Sequence, residues 1–309
     1  MKFGFSIPTR GPLADPETIV ALAQRGEALG FSIIAIPDHI VIPKRIAAPY
    51  PYSADGKMAQ ADFGNCLDPL ALMAYLAAAT KTIRLLTSIM VVPHRPAVMT
   101  AKMLATIDVM SGGRITVGCG AGWLPEEFAA IGAPPFAERG KVTDEYLAIF
   151  KKLWTEDDPR HDGPYASFAD ISFLPKPIQK PHPPLWIGGE SPPAMRRAAR
   201  LGNGWYPIGR NPAHPLDTLE RYRDGVERLR GEAERIGRDP ATLDLAYWAM
   251  WNHEAPTRHL LSGGTNAVAD DIGELERIGL KHCLFNLVRA SRSESLDAMD
   301  AFAEKLIRP

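Results

Sequence analysis

The sequence is poor in cysteine and lacks any long run of apolar residues. Its three cysteines are Cys66, Cys119 and Cys283. Because they are odd in number and far apart, they argue against a disulfide framework or a zinc cluster. No segment approaches the roughly 20 apolar residues that a membrane span requires, and the first apolar stretch is too short for a signal peptide. We therefore expect a cytoplasmic protein with reduced thiols and no membrane partner.

The sequence also lacks an excess of charge of either sign. It contains 35 basic and 36 acidic residues, which are interspersed, and its formal net charge is −1. This balance argues against the basic surface that nucleic-acid binding requires. Apolar residues make up 46% of the 309 residues, so the chain can bury a large core, as one α/β domain or as two smaller ones. We expect a small-molecule partner and no nucleic acid.

Short apolar runs alternate with segments of helical periodicity along the whole chain. The runs typical of buried parallel strands cover residues 3–7, 33–37, 83–92, 114–117, 185–187, 205–208, 243–248 and 283–288. The helical segments that follow them cover residues 16–29, 69–79, 96–110, 142–154, 192–201, 215–236, 267–278 and 295–306. Eight β/α units in a chain of this length are typical of a TIM (β/α)8 barrel, which we predict as a single domain over residues 1–309.

Several predicted helices begin and end with residues that favour helix termini. Asp15, Asp68 and Ser191 each precede a proline, and their side chains can accept hydrogen bonds from the first turn. Gly30 and Gly202 follow helices where a left-handed backbone is favourable. An open doubly wound sheet also alternates strands and helices. However, no G-x-G-x-x-G motif opens the first helix, so the barrel is favoured.

Long loops that follow strands mark the face on which a barrel builds its active site. Three such loops follow strands two, four and seven, over residues 40–67, 118–141 and 249–266. Ordered loops of this length are usually functional, and the first of them carries Tyr50, Tyr52 and Phe63. A proline-rich excursion over residues 157–184 lies on the opposite side of the barrel. We predict a small hairpin there, at 167–174, with a structural or interfacial role.

The most distinctive stretch is residues 111–127, SGGRITVGCGAGWLPEE. A polar turn leads into a short buried strand. Gly118, Gly120 and Gly122 then leave the backbone without side chains where the strand gives way to a Pro-Glu-Glu helix start. Such glycines let a flat or phosphorylated ligand approach the main chain, although a strand-to-helix turn can also use glycine for its geometry alone. The residues by themselves leave both interpretations open.

Asp38 and His39 stand at the end of the second predicted strand. On their own they are compatible with a loop cap and a structural histidine. Together with His94 they also suggest a metal-dependent barrel hydrolase, but no His-x-His pair ends the first strand and no ligand set is complete. We therefore predict no metal site.

Several segments in a fixed order resemble the bacterial luciferase-like flavin-dependent oxidoreductases. These are Asp38-His39 and residues 88–123, 136–154 and 175–205, within a resemblance that covers residues 1–210 and, more weakly, 264–288. The resemblance implies a TIM barrel that binds either reduced FMN, supplied by a separate flavin reductase, or the deazaflavin coenzyme F420. The first cofactor implies monooxygenation, and the second implies hydride transfer. Because relatives of this kind are often homodimers, we expect a homodimer here.

The resemblance also implies a cofactor site at the C-terminal face of the barrel. It places Asp38 and His39 beside the flavin ring, where His39 is the catalytic candidate because an imidazole can donate or accept a proton near neutrality. It places Ser88 and Ile89 at a bulge in strand three where many relatives have a cis peptide bond behind the ring. Further ring contacts are implied at Cys119, Gly120 and Gly122. Contacts with the cofactor phosphate at a helix start are implied at Gly188, Gly189 and Ser191.

The phosphate loop departs from the family pattern in two ways. Pro192 and Pro193 remove two amide donors, and Glu190 adds a negative charge near the phosphate. The phosphate must then depend on the remaining loop residues and on a cation such as Arg196 or Arg197, or else bind weakly.

The strand-four exit also differs from that of some relatives. Sugar-oxidising F420-dependent relatives carry a carboxylate there for proton transfer, whereas this sequence has Ala121. We therefore predict a monooxygenase that uses reduced FMN and O2 on a small organic substrate. An F420-dependent reductase or dehydrogenase is the first alternative. A non-catalytic flavin-binding subunit is the second, on the basis of the prolines and Glu190 in the phosphate loop.

Other residues near strand ends are weaker candidates. Arg10 can bind an anionic substrate or phosphate, or can simply pair with a neighbouring carboxylate. His94, Arg95 and His253 can line the substrate side, or can lie at the surface. Trp248 and Trp251 can line an apolar pocket or can pack in the core.

Overall fold

The computed structural model describes residues 1–53, 55–58, 64–250 and 258–307. Its main feature is a closed barrel of eight parallel strands. The barrel strands are β1 (Lys2–Ser6), β2 (Ile33–Ile36), β3 (Arg84–Val91), β4 (Ile115–Gly120), β7 (Leu185–Gly188), β8 (Gly204–Tyr206), β9 (Asp244–Met250) and β10 (Leu280–Asn286), while β5 (His161–Asp162) and β6 (Ser167–Phe168) form a separate sheet. Around the barrel the strands follow the order β1-β10-β9-β8-β7-β4-β3-β2. The predicted TIM (β/α)8 barrel is confirmed.

Helices surround the barrel and return the chain from the end of one strand to the start of the next. They are α1 (Pro16–Leu29), α2 (Pro69–Ala79), α3 (Ala97–Ser111), α4 (Pro125–Ala130), α5 (Arg139–Thr155), α6 (Pro192–Leu201), α7 (Leu219–Arg235), α8 (Thr265–Ile278) and α9 (Arg292–Phe302). All eight predicted helical segments contain a helix. The short α4 lies in the long loop after β4, at the Pro-Glu-Glu sequence.

The helix ends confirm some of the predicted caps and correct others. Asp15 accepts a hydrogen bond from the Thr18 amide, and Asp68 caps the first turn of α2. Ser191 precedes α6 but makes no side-chain capping bond. Gly30 has the expected left-handed backbone, whereas Gly202 is extended, with φ −81°. A side chain at Gly202 would instead collide with the Ala198 carbonyl and Ile187, so this glycine is required by lack of space.

The bounds of several elements differ from the sequence prediction, and two strands and one hairpin are the clearest cases. Strand β4 continues through Gly120 because Met90 and Val91 of β3 pair with Cys119 and Gly120. Strand β10 begins at Leu280 and ends at Asn286, earlier than residues 283–288. The predicted hairpin at 167–174 is wrong. The two-stranded sheet pairs β5 (His161–Asp162) with β6 (Ser167–Phe168), and residues after 168 are irregular.

Side chains alternate between the interior of the barrel and the layer between strands and helices. The interior cluster is formed by Ile33, Ala35, Leu86, Trp186, Tyr206, Ala246 and Leu284. Ile89 and Trp248 pack against this cluster while remaining partly exposed. Because both residues lie near the C-terminal ends of their strands, β3 and β9, they form the floor of the barrel mouth.

Candidate active site

The mouth of the barrel is shaped by an irregularity in β3. The Ser88–Ile89 peptide bond is cis, and the register between β3 and β4 shifts between Thr87 and Met90. The Ser88 hydroxyl lies 3.0 Å from the Tyr206 hydroxyl, within hydrogen-bond distance. The bulge therefore places Ile89 over the interior cluster and ties the neighbouring serine to β8.

Three glycines of β4 and β7 make room for the Ile89 side chain. A Cβ atom on Gly120 would lie 2.8 Å from Ile89 Cγ2, and one on Gly188 would lie 2.9 Å from Ile89 Cγ1. A Cβ on Gly118 would collide with the Thr87 carbonyl oxygen and lie 3.0 Å from Ile89 Cδ1. The space beside these glycines is thus filled by protein, and the surface they support at the mouth is that of Ile89.

The remaining residues of the β4 exit have different environments. Gly122 has a left-handed backbone, with φ +86°, and a side chain there would collide with Phe128 and Val91. Cys119 is fully buried in the layer between the barrel and the helices. Burial raises the pKa of its thiol. Any ligand contact made by Cys119 would therefore involve its main chain.

Asp38 is held in place by an arginine that sequence reasoning assigned to the substrate side or to the surface. Arg95 donates to both carboxylate oxygens of Asp38, each at 3.0 Å, and to Asp68 at 2.7 Å. The Val91 amide also donates to Asp38. Burial alone would lower the pKa of Arg95, but the charges and hydrogen bonds of Asp38 and Asp68 raise it. Both Asp38 and Arg95 are buried, so the surface interpretation of Arg95 is wrong.

His39 is held by a carboxylate that the sequence interpretation treated only as part of a helix start. Glu127 Oε2 lies 2.7 Å from His39 Nδ1, and Glu127 Oε1 accepts hydrogen bonds from the amides of Ile40 and Val41. Burial opposes ionisation of Glu127, but the hydrogen bond and charge of His39 outweigh it, and the pKa of Glu127 lies below its ordinary value. The signal available in the sequence was a pair of carboxylates, Glu126 and Glu127, at the start of a helix in the loop that follows β4 on the catalytic face.

His94 lies on the other side of the same carboxylate. Its ring contacts Phe128 edge to face, with 4.8 Å between ring centroids, and its Nδ1 is 3.9 Å from Glu127 Oε1. Among the described residues, neither ring nitrogen has a hydrogen-bond partner. Burial lowers the pKa of His94, and the Glu127 charge offsets this only in part. Burial therefore disfavours the protonated form of His94, and the surface interpretation is wrong for this buried residue too.

The loop after β2 is anchored to α4 and crosses toward the phosphate loop. Glu126 accepts hydrogen bonds from the amides of Ala47 and Ala48. The Tyr50 ring packs edge to face against both Tyr52 and Trp123. Burial and the nearby Glu190 charge raise the pKa of Tyr52. Two of the three aromatic residues singled out in this loop are thus close to the mouth, and Phe63 lies outside the described residues.

The predicted phosphate loop runs from the end of β7 into α6. Gly189 has a left-handed backbone, with φ +98°, and its carbonyl accepts a hydrogen bond from the Trp205 indole. Glu190 is turned inward, where it accepts hydrogen bonds from the Ile208 amide and from Asn211. Burial raises the pKa of Glu190 to about 7. At neutral pH the negative charge expected beside a phosphate is therefore only partly present.

The two arginines considered for the phosphate have different roles. Arg197 is buried and bonded to Asp144 and to the Gly140 carbonyl. Arg196 is exposed on α6. Of the pair, Arg196 is the one whose side chain faces solvent.

The remaining candidate residues near strand ends do not share one location. Arg10 follows β1 and pairs with Cys66 through an isolated bridge. The Trp248 indole donates to the Ser6 hydroxyl at 2.9 Å, so this tryptophan lines the mouth. Trp251 and His253 lie outside the described residues.

No group of three or more histidine, cysteine, aspartate or glutamate residues is arranged to hold a metal ion within residues 1–53, 55–58, 64–250 and 258–307. In the same part of the chain, no helix has both the length and the apolar character needed to cross a bilayer.

Comparisons with known proteins identify the family. Residues 1–251 match the family model described as luciferase-like monooxygenase. An FMNH2-dependent dimethylsulfone monooxygenase of Pseudomonas putida is 36% identical over 164 residues, which is 52% of this chain and 43% of that enzyme. The chain therefore belongs to the luciferase-like monooxygenase family and is an oxidoreductase.

Solved structures agree with this fold. A monooxygenase, RslO1, from Streptomyces bottropensis superposes with a TM-score of 0.78 at 23% identity, covering 100% of this chain and 99% of that one. A coenzyme F420-dependent tetrahydromethanopterin reductase from Methanopyrus kandleri gives a TM-score of 0.77 at 16% identity, covering 99% and 98%. At these identities, the likeness concerns the fold alone.

Proposed function

We propose that this protein is a monooxygenase that uses reduced FMN and O2 to oxidise a small organic substrate. The observation that carries the proposal is the state of the carboxylates near the β4 exit. Position 121 is alanine, and the neighbouring Asp38 and Glu127 each accept hydrogen bonds from protein groups at both carboxylate oxygens. A carboxylate that is already engaged in this way is a poor proton-transfer group for a dehydrogenase reaction. The name of the dimethylsulfone monooxygenase relative supports the same choice.

The residues at the mouth fit a flavin ring. Ile89 and Trp248 offer partly exposed apolar surface, and the hydroxyls of Ser88 and Tyr206 lie beside it. Cofactor sites typically combine such an apolar lining with a few polar groups that fix orientation. In our proposal, ring contacts involve Asp38, Ser88, Ile89, Cys119, Gly120 and Gly122.

The phosphate loop fits the other end of FMN less completely. The Ser191 hydroxyl is not used to cap α6, and Gly189 provides the turn. Pro192 and Pro193 provide no amide hydrogens. We propose phosphate contacts at Gly188, Gly189 and Ser191, with Glu190 kept away by its bonds to Ile208 and Asn211.

The protein's own residues then have limited tasks. When bound, reduced flavin supplies the electrons that activate O2. Ile89 and Trp248 exclude water from one side of the mouth, and His39 exchanges a proton at its Nε2 atom with the bound reactants. Because Glu127 holds the opposite edge of the imidazole, the ring stays in one orientation during the exchange. We also propose that a separate flavin reductase supplies the reduced cofactor.

A homodimer is part of the proposal. Helix α2 carries no charged residue, and Tyr75 on α2 and Met99 on α3 are each 50% exposed. A helix that is apolar on all sides is normally covered by protein. A second copy of the chain would cover this surface.

Cofactor titration tests the function directly. Any cofactor that copurifies is identified by absorbance and mass, and the protein is then titrated with FMN, reduced FMN and F420. We expect reduced FMN to bind, and O2 consumption to depend on it. Tight binding of F420 without binding of either flavin would contradict the proposal and favour a reductase or dehydrogenase. Failure to bind any of the three would favour a non-catalytic subunit.

A substitution of His39 tests its assigned role. We expect His39→Ala to abolish turnover while reduced FMN still binds with similar affinity, because the imidazole moves protons and does not provide the main binding surface. Unchanged turnover in the variant would remove His39 from the mechanism.

A further inference from the structure

We propose that Glu127 is a positioning residue that fixes the tautomer of His39, so that Nε2 is the nitrogen that exchanges protons. The inference deepens the proposed function and rests on it for the role of His39 in turnover. The geometry on which it is based does not depend on the identity of the cofactor or substrate.

The hydrogen bonds around Glu127 determine which ring nitrogen of His39 carries the hydrogen. Glu127 Oε1 accepts from the backbone amides of Ile40 and Val41, at 2.7 and 3.2 Å. Neither amide can act as an acceptor. Oε2 faces His39 Nδ1 at 2.7 Å. Because an ionised carboxylate can only accept, Nδ1 must carry the hydrogen of this contact. In the neutral ring, the lone pair is then on Nε2.

Burial makes the arrangement rigid. The side chains of His39 and Glu127 are 9% and 1% exposed, and Glu127 belongs to α4, whose next residue, Phe128, packs against His94. The carboxylate also ties the first two residues after His39 to the same helix. Rotation of the imidazole would therefore break a buried charged hydrogen bond, which is costly.

The other titratable groups around this pair leave Glu127 as the charge that faces His39. Asp38 is paired with Arg95, which also contacts Asp68. Burial lowers the pKa of His94 and so disfavours a positive charge on it. Cys66, whose thiol donates to the His39 carbonyl oxygen, remains a thiol because burial raises its pKa. Glu127 is thus the partner that compensates the charge of a protonated His39.

The proton transfer balances as follows. A proton leaves an X–H group of a bound reactant, its electron pair stays on X, and a new N–H bond forms at Nε2. His39 becomes an imidazolium ion whose Nδ1–H still donates a hydrogen bond to the ionised Glu127, so the His39–Glu127 pair becomes neutral overall. The reverse step returns the proton from Nε2.

The first test uses the wild-type protein without any cofactor. Long-range ¹H–¹⁵N NMR spectra distinguish the two neutral tautomers of histidine, and comparison with His39→Gln assigns the His39 signals. We expect the neutral ring to carry its hydrogen on Nδ1. A ring that carries it on Nε2 would overturn the proposal, and this result needs no variant of Glu127 to fold.

The second test compares two neighbouring glutamates. In Glu127→Gln, the amide oxygen is needed by the Ile40 and Val41 amides, so the amide NH2 group faces Nδ1 and the ring must accept there. We expect the tautomer to change to Nε2–H. Glu126→Gln is the matched control, because Glu126 also accepts two backbone amides of the β2 loop, at Ala47 and Ala48, but is not bonded to His39. The control should keep the wild-type tautomer; a change in both variants, or in neither, would contradict the inference.

Turnover provides the third test. A general acid or base contributes about 100-fold or more to a rate, and we expect Glu127→Gln to lose about this factor in kcat while KM and the affinity for reduced FMN change by less than about threefold. Wild-type kcat in Glu127→Gln would overturn the inference. If the tautomer results are as expected but reduced FMN does not bind, the positioning by Glu127 stands and the monooxygenase assignment fails.

Discussion

The Ile89 side chain occupies the position that a side chain on Gly120 would need. A Cβ on Gly120 would lie 2.8 Å from Ile89 Cγ2, and the next nearest atom is Ile89 Cβ, at 3.8 Å. The obstruction is therefore the movable side chain of Ile89, and no backbone atom from elsewhere in the described part of the chain lies within 4 Å of that position. This relationship explains why the β4 exit needs glycine although no ligand is required to account for it.

The contact predicts a rescue by a second substitution. We expect Gly120→Ala to lower the free energy of unfolding by about 1–3 kcal/mol, as overpacked cores typically do, and to weaken binding of reduced FMN because Ile89 moves. Ile89→Ala in the same chain should recover most of the stability. Urea unfolding of the two single variants and the double variant measures the coupling.

Gly118→Ala is the matched control for that cycle. Its Cβ would collide with the Thr87 carbonyl oxygen, which shortening Ile89 cannot move. Equal rescue of Gly118→Ala and Gly120→Ala by Ile89→Ala would show that our assignment of the obstruction is wrong.

The buried pair of Arg95 and Asp38 provides a stability prediction. Arg95→Met leaves the fully buried Asp38 carboxylate without its cation, and breaking such a pair costs about 3–5 kcal/mol. Arg95→Lys should lose less, because it keeps the charge but not the two parallel hydrogen bonds. Denaturant unfolding measures the free energy of unfolding of the wild type, Arg95→Met and Arg95→Lys.

A surface arginine serves as the reference for this prediction. Arg200 pairs with Asp144, and its side chain is 58% exposed, so Arg200→Met should cost less than about 1 kcal/mol. If Arg95→Met were no more destabilising than Arg200→Met, the buried ion pair of Arg95 and Asp38 would not contribute to stability.

The fold was predictable from sequence because its signals are local. Apolar runs and helical periodicity repeat along the chain, and the Asp15 and Asp68 caps bond to residues two or three positions away. The C-terminal end of β4 could not be predicted from local sequence, because its last residues are strand only through their pairing with β3. The residues of one strand do not show how far the neighbouring strand pairs with it.

The sequence predicted where the site lies, but not which of its side chains bond to each other. His39 and Glu127 are 88 residues apart, and Arg95 and Asp38 are 57 apart. Each pair meets only because barrel strands bring different loops to one face. The glycines were noticed because they lack side chains, but their sequence does not show which neighbour fills the space, and here it is Ile89.

The exposed apolar surface of α2 and α3 predicts self-association. We expect the wild-type protein to be a dimer by light scattering, and Met99→Glu to shift it toward monomer because a charge would be buried against an apolar partner. Ile236→Glu is the control, since Ile236 is 51% exposed at the end of α7, away from this surface. A monomeric wild-type protein, or equal effects of the two variants, would contradict the proposed interface.

The buried Glu190 predicts a stability effect that depends on pH. Its folded-state pKa is raised to about 7 by burial, which the hydrogen bonds from Asn211 and Ile208 only partly oppose, whereas an exposed glutamate titrates near 4.5. Between these values the unfolded chain loses its proton while the folded chain keeps it. The contribution of Glu190 to stability therefore falls as pH rises from about 4.5 to 7 and is constant above 7, by about 3 kcal/mol in total.

Glu190→Gln removes this ionisation and should reverse the loss. The difference in unfolding free energy between the variant and the wild type should increase in favour of the variant from pH 5 to pH 7 and then level off. Glu126→Gln is the control, because hydrogen bonds from Ala47 and Ala48 lower the pKa of Glu126 below its ordinary 4.5. This carboxyl group is therefore largely ionised in both the folded and the unfolded chain from pH 5 upward, and the difference between Glu126→Gln and the wild type should hardly change with pH. Urea unfolding of the three proteins at pH 5, 6, 7 and 8 measures the unfolding free energies. If the Glu190→Gln difference were independent of pH, the carboxyl group would be ionised in the folded protein throughout, and phosphate binding beside it would have to overcome a full negative charge.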